Sequence, residues 1–310
     1  MDGLSDIAKK LFPLRGKKLD EKLQAMFDDA VKAEAHDRPK HALDQLSAIW
    51  EESVHSPTWK HRRQFELIPL IAKLSEHHDA ARFKLRSMRD AQEKLMRQGN
   101  DDFALIGEWI ALNRLVEPER TIFVYDELKK KFDDYSVPVL TRIRIVEVDA
   151  FLEQGRYGEF LEEDLETLFE YLEDDASDLT DLAADACGDD DTDDTDDTGD
   201  TDDAGADNAD DGSDFDRQDY ERALKDTQAG ATRLVQLALL KGCLDYVDEV
   251  QSLLTDSLAD KTNAYFCLIR GAEKAKQQTW IDKFVNEAKE ALSPLEFAEL
   301  TRRRTAVTPQ

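Results

Sequence analysis

The chain has 310 residues, with 69 Asp and Glu against 41 Lys and Arg, for a formal charge of −28. No run of about 18 apolar residues occurs, which excludes a membrane-spanning helix. The three cysteines, Cys187, Cys243 and Cys267, show no metal-ligand spacing and leave one over, a usage that suits a reducing compartment. With no apolar signal stretch following Lys9 and Lys10, the expected location is cytoplasmic.

Only 13 Gly and 8 Pro punctuate the chain, and apolar residues recur at helical spacing nearly throughout. The first stripe is Leu4, Ile7, Ala8 and Leu11, a short capping helix that Pro13 is expected to stop. A turn is predicted at His36-Asp37-Arg38-Pro39, ahead of the one-sided stripe Leu43, Leu46, Ile49 and Trp50. Ser56-Pro57 breaks the next hairpin, and the flanking Trp50, Trp59 and Phe65 are expected in an inter-hairpin core. Leu85, Met88 and Leu95 are expected to face a core in the same way.

Further turns are predicted at His77-His78-Asp79, Glu117-Pro118 and Gln154-Gly155-Arg156. Thr141 to Val148 alternates like a strand, but a lone strand would have no partner, so it is read as helix. Leu161, Leu165, Leu168, Phe169 and Leu172 form another apolar stripe. Lys241-Gly242-Cys243 and Gln277-Gln278 mark the last two turns.

Between Glu173 and Asp216 lie 21 carboxylates and no Lys or Arg, including Asp-Asp-Thr repeated three times over residues 190–198. Such a stretch cannot bury enough apolar surface to offset the entropy of ordering it, so disorder is expected. The flanking parts are close to ordinary: 34 acids against 27 bases before the tract, and 14 against 14 after it. The predicted organisation is therefore a helical domain at 1–172, an acidic linker at 173–216, and helical hairpins at 217–310. Between turns at His78, Glu117 and Gly155 the steps are 39 and 38 residues, and from Gly242 to Gln277 the step is 35. The tract reads as an insertion into one such unit, which a solvent-facing loop tolerates well.

The run Phe151-Leu152-Glu153-Gln154-Gly155-Arg156-Tyr157-Gly158-Glu159-Phe160 resembles the turn of a tetratricopeptide hairpin. Pieces recur in Ile106-Gly107, Ile110 and Phe123, and in Ala30, Ala42 and Leu46. The pattern is degenerate: Phe160 and Glu119 stand where the family places a small residue, and the steps exceed its 34-residue period. The resemblance implies an all-α, right-handed α-solenoid of helical hairpins that binds a partner protein or peptide as a scaffold. A two-helix hairpin cannot bury its apolar face alone, so stacking of neighbours is the expected solution.

No catalytic signature accompanies this pattern. Calcium-loop frames starting at Asp194 and Asp207 fail at position twelve, Gly205 and Gln218, leaving only diffuse, weak attraction of divalent cations by the tract. His77 and His78 are adjacent and diverge on a helix, so no metal site is expected, and no cofactor motif occurs. Between Val54 and Arg97 lie 10 Lys and Arg against 5 acids. Arg82, Arg86, Arg89 and Arg97 fall along one helical face, interrupted by Glu93. With Trp59, Arg62 and Arg63 they form the candidate partner surface, suited to an acidic peptide, to phosphate, or to the chain's own acidic arm acting as an autoinhibitor or a nucleic-acid mimic. Nucleic acid is an unfavoured partner, because the tract would repel phosphate.

Overall fold

The computed structural model describes residues 3–132, 137–186 and 213–307, and among them every regular element is helical. The chain packs as two compact units, Met1–Val146 and Glu147–Gln310. This division falls before the acidic tract rather than on it. The first part of the tract is helical too, because Ala176 and Leu179 interrupt its acids at helical spacing and are buried. The Asp-Asp-Thr repeat lies outside the described residues.

In the first unit, α1 (Gly3–Ala35) runs through Pro13 instead of stopping there. Good helix formers on both sides carry it past the proline. Then follow α2 (Pro39–Glu52), α3 (Pro57–Arg62), a π-helical turn (Arg63–Leu67) and α4 (Ile68–Ser75). After these come α5 (Asp79–Arg97), α6 (Phe103–Val116), α7 (Arg120–Lys131) and α8 (Pro138–Val146). The stripe Leu43, Leu46, Ile49 and Trp50 faces the core, together with Leu23 and Ala30 of α1 and Ile68 and Ile71 of α4. Leu85 and Met88 are buried as expected, whereas Leu95 and Phe65 point outward. Residues 141–146, read as helix against their alternation, lie in α8.

The second unit contains α9 (Val148–Glu153), α10 (Glu162–Ala186), α11 (Ser213–Lys241), α12 (Leu244–Ser257), α13 (Lys261–Lys274), α14 (Gln278–Ala291) and α15 (Pro294–Val307). Lys241 reaches the Phe160 carbonyl, Gly230 lies against Leu172, and Thr227 meets the Asp175 carbonyl. As one helix ascends in number the other descends, so α10 and α11 are antiparallel. Beyond them α11 packs on α12 and α13, and α13 packs on α14 and α15. α11 and α13 thus each touch the next helix and the one after it.

Five helix ends share one termination. The residues Asp37, Gly99, Gly155, Gly242 and Lys276 take positive φ, from 53° to 95°. In each case the following N–H reaches back five residues, as from Arg156 to the Phe151 carbonyl at 2.8 Å and from Gln277 to Ala272 at 3.0 Å. This cap satisfies carbonyls that the helix end leaves open. Asp37 and Lys276 adopt it despite carrying a Cβ, which costs conformational energy that glycine avoids.

Candidate functional site

The first unit carries a cleft of ≈ 470 Å³ lined by residues of α3, the π-helical turn, α6 and α8. Its geometry begins with Pro69. Proline has no N–H to give a carbonyl one turn back and its ring crowds that turn. The preceding backbone widens accordingly, and the Ile68 N–H bonds the Arg63 carbonyl five residues earlier. This wide turn buries Arg63 and Leu67 and leaves Gln64 and Phe65 lining the cleft. Across it, Asp102 caps α6 by accepting the N–H of Ala104 at 2.9 Å, and its other oxygen accepts Lys60 Nζ at 2.6 Å. Gly107 lets Gln64 lie close, since a Cβ there would stand 2.9 Å from Gln64 Oε1.

Phe65 and Phe103 are 61 % and 49 % exposed, and the Arg142 guanidinium lies 3.4 Å from the Phe103 ring centre. Glu108 reaches into the cleft while only 2 % exposed. One of its oxygens accepts the Gln92 side-chain amide. The other, Oε1, lies 3.2 Å from Arg63 Nε, and neither atom has a hydrogen-bond partner. Burial pushes the Glu108 carboxyl up to about 7, against the pull of Arg63. Burial likewise lowers the Arg63 guanidinium from its ordinary value.

The structure separates the residues that the sequence groups as one basic surface. Trp59 is buried at 1 % exposure, with its ring 5.7 Å from Phe27 in edge contact. Arg62 covers it, stacking 3.9 Å from the Trp59 ring centre and donating to Gln24 and Glu66. Arg63 is buried and stacks 3.8 Å from the Trp50 ring. Arg89 is buried as well, and donates to Asp90 at 2.6 Å and Glu117 at 3.0 Å. Arg97 is half-buried, bound to Glu93 and Glu127. Only Arg82 and Arg86 are open to solvent, and Arg82 pairs with Asp79. Helical spacing put the arginines on one side but could not tell which side faces neighbouring helices.

Glu93, which interrupts that face, is the centre of a network. Burial favours its neutral form, but hydrogen bonds from Arg120 and Arg97 outweigh this and hold the carboxyl below its ordinary value. The cleft itself escaped sequence reasoning, although Pro69 after a polar helix and a lone Glu108 in the apolar run Ile106–Leu112 were signals of it. Cys267 is fully buried, and burial pushes its thiol up to about 12, which removes it as a nucleophile at neutral pH. Among the described residues, no group of three or more His, Cys, Asp and Glu is placed to hold a metal ion. No protein-family model, no curated protein and no solved structure matches this chain.

Proposed function

We propose that the protein is a non-enzymatic interaction scaffold, a tetratricopeptide-like stack of helical hairpins that binds a partner peptide in the cleft of its first unit. The observation that carries this reading is the pair Phe65 and Phe103, large aromatic rings left half-exposed at the mouth of a polar-floored cleft. Aromatic anchors at the centre of a concave surface are what peptide recognition uses, because they offer large contact area at little entropic cost. The order of helix neighbours in both units, each hairpin touching the next, supports the stacked arrangement. The test is Phe65→Ala/Phe103→Ala in the full chain. Affinity for a partner captured by cross-linking and then purified should fall at least about tenfold, with the melting temperature unchanged. Unchanged affinity removes the cleft from the function.

A second reading, in which the acidic tract screens a basic surface, draws on the exposed Arg82 and Arg86 of α5. In that case deletion of residues 187–212 strengthens partner binding at low salt and has no effect near 1 M salt, where screening acts over only about 3 Å. Equal affinities for both chains at low salt rule it out.

A further inference from the structure

Resting on the peptide-binding reading, we propose that the cleft takes a tryptophan side chain of the partner, its indole N–H donated to Glu108 Oε1. One open acceptor decides the chemistry. Glu108 lines the cleft, is only 2 % exposed, and its Oε1 accepts no hydrogen bond. The other oxygen is taken by the side-chain amide of Gln92. A buried acceptor left open costs free energy that a donor on the ligand recovers. Asp102 makes no such demand, since one oxygen holds the start of α6 and the other accepts Lys60. Lys60 and Gln64 are half-buried, so their remaining polar atoms can meet water.

Charge then selects an uncharged donor. The charges acting on Glu108 are those of Arg63 in the π-helical turn, Asp102 at the start of α6 and Lys60 of α3. Lys60 lies 2.6 Å from Asp102 and Arg63 lies 3.2 Å from Glu108, so two bases match two acids when Glu108 is ionised. The neighbour from α5, Gln92, is neutral, and Arg142 of α8 is engaged with the Phe103 ring. A lysine, arginine or carboxylate brought in beside Glu108 would carry a charge with no counterpart into a sheltered place.

The walls select the body of the ligand. Phe65, Phe103, Pro57 and Ala104 present apolar surface around a cleft of ≈ 470 Å³. Indole is a large flat apolar ring with one N–H donor and no acceptor. A phenylalanine would leave Oε1 open, and an amide side chain brings a carbonyl and little apolar area. Binding requires Glu108 to be ionised, because a proton on Oε1 would stand where the indole N–H points. Burial pushes this carboxyl up to about 7, so the open acceptor appears as pH rises through neutrality.

The full chain is titrated calorimetrically with acetyl-Gly-Leu-Trp-Leu-Gly-amide and with its 1-methyltryptophan, Tyr and Lys counterparts. The methyl group removes the N–H and keeps the ring. At pH 8 the Trp peptide should bind about tenfold tighter than each of the others, as a hydrogen bond to a buried charge gives. Its advantage over 1-methyltryptophan should shrink toward none at about pH 5.5, where Glu108 holds its proton. Glu108→Gln does not titrate, so in that variant the ratio of the two affinities should be the same at both pH values. Equal binding of the Trp and 1-methyltryptophan peptides at pH 8, a ratio in the parent that ignores pH, or binding of none of the peptides overturns the proposal. These three outcomes are read on the parent chain, whether or not the variant folds. A pH-dependent ratio that survives in Glu108→Gln overturns it as well. Preference for the Tyr or Lys peptide overturns the indole but leaves peptide binding standing, and that broader reading falls separately on the Phe65/Phe103 result.

Discussion

Arg63 Nε and Glu108 Oε1 stand 3.2 Å apart in the first unit without forming a hydrogen bond. The Arg63 guanidinium carbon lies 3.8 Å from the Trp50 ring centre, and its Nε–H is not aligned with the carboxylate. Attraction without alignment does not recover the cost of burying the charge, so the Glu108 carboxyl sits high.

This has a consequence for stability against pH. The ordinary value of the group is 4.5 and the folded value about 7, so the folded state holds the proton more tightly than the unfolded chain. Stability from this group is complete below pH 4.5 and is lost as pH rises through 7, by an amount on the order of 3 kcal/mol. Glu108→Gln removes the titration. In urea unfolding, parent and variant should be of similar stability at pH 5, and the parent the weaker by one to a few kcal/mol at pH 8. A parallel pH dependence for the two proteins contradicts this account.

Gly271 of α13 lies close against α11 in the second unit. A Cβ there would stand 2.7 Å from Val235 Cβ and 2.9 Å from the Thr232 carbonyl oxygen on α11. The carbonyl belongs to helix backbone and cannot rotate away, so Gly271→Ala forces the helices apart. A loss of about 1–3 kcal/mol is expected from such overpacking. Adding Val235→Ala removes the Cγ1 that a new Cβ would also meet at 2.7 Å, so it should recover part of the loss and not all, because the clashes with the Val235 Cβ position and the carbonyl remain. Thermal melts of the two variants measure this, and a Gly271→Ala protein as stable as the parent shows that the helix contact is looser than the distances imply.

Much of the fold was legible, because helix breaks are written locally. Gly155 and Gly242 mark two turns, Pro39 and Pro118 two more, and all six predicted turns fall between helices. The break at Gly99 carries the same cap as Gly155 but is not among the predicted turns. The site was far less legible. Which arginine of α5 is buried depends on where α6 and α7 lie, and a periodicity of 3.6 does not contain that. Glu108 is a single acid in an apolar helix, and its meaning comes from Arg63 and Gln92, 45 and 16 positions away in the chain. Phe65 was expected inside because it flanks the Ser56-Pro57 break, yet the wide turn before Pro69 leaves it outside.

The arginines of α5 divide into two kinds, and charge reversal separates them. Arg89 is buried and donates to Asp90 and Glu117, so Arg89→Glu would bury a third carboxylate next to two others. Asp90 and Glu117 themselves reach solvent, so the cost comes from burying the new carboxylate beside them and is about 1–3 kcal/mol. Arg82 and Arg86 reach into solvent, where the Arg82 pair with Asp79 contributes no more than about 1 kcal/mol. Arg82→Glu/Arg86→Glu should therefore fold as the parent does. Glu93 extends the same reasoning to low pH. Its carboxyl is held below the ordinary 4.5, so its contribution is present above that value and fades as pH falls through the lower folded one. Arg120→Ala, which removes two of its donors, should then cost about 1–3 kcal/mol at pH 7 and markedly less near pH 3. Denaturation midpoints for the three variants at both pH values give the comparison. An Arg89→Glu protein no less stable than the Arg82/Arg86 double variant would mean that α5 does not present Arg89 to the Glu117 side of the bundle.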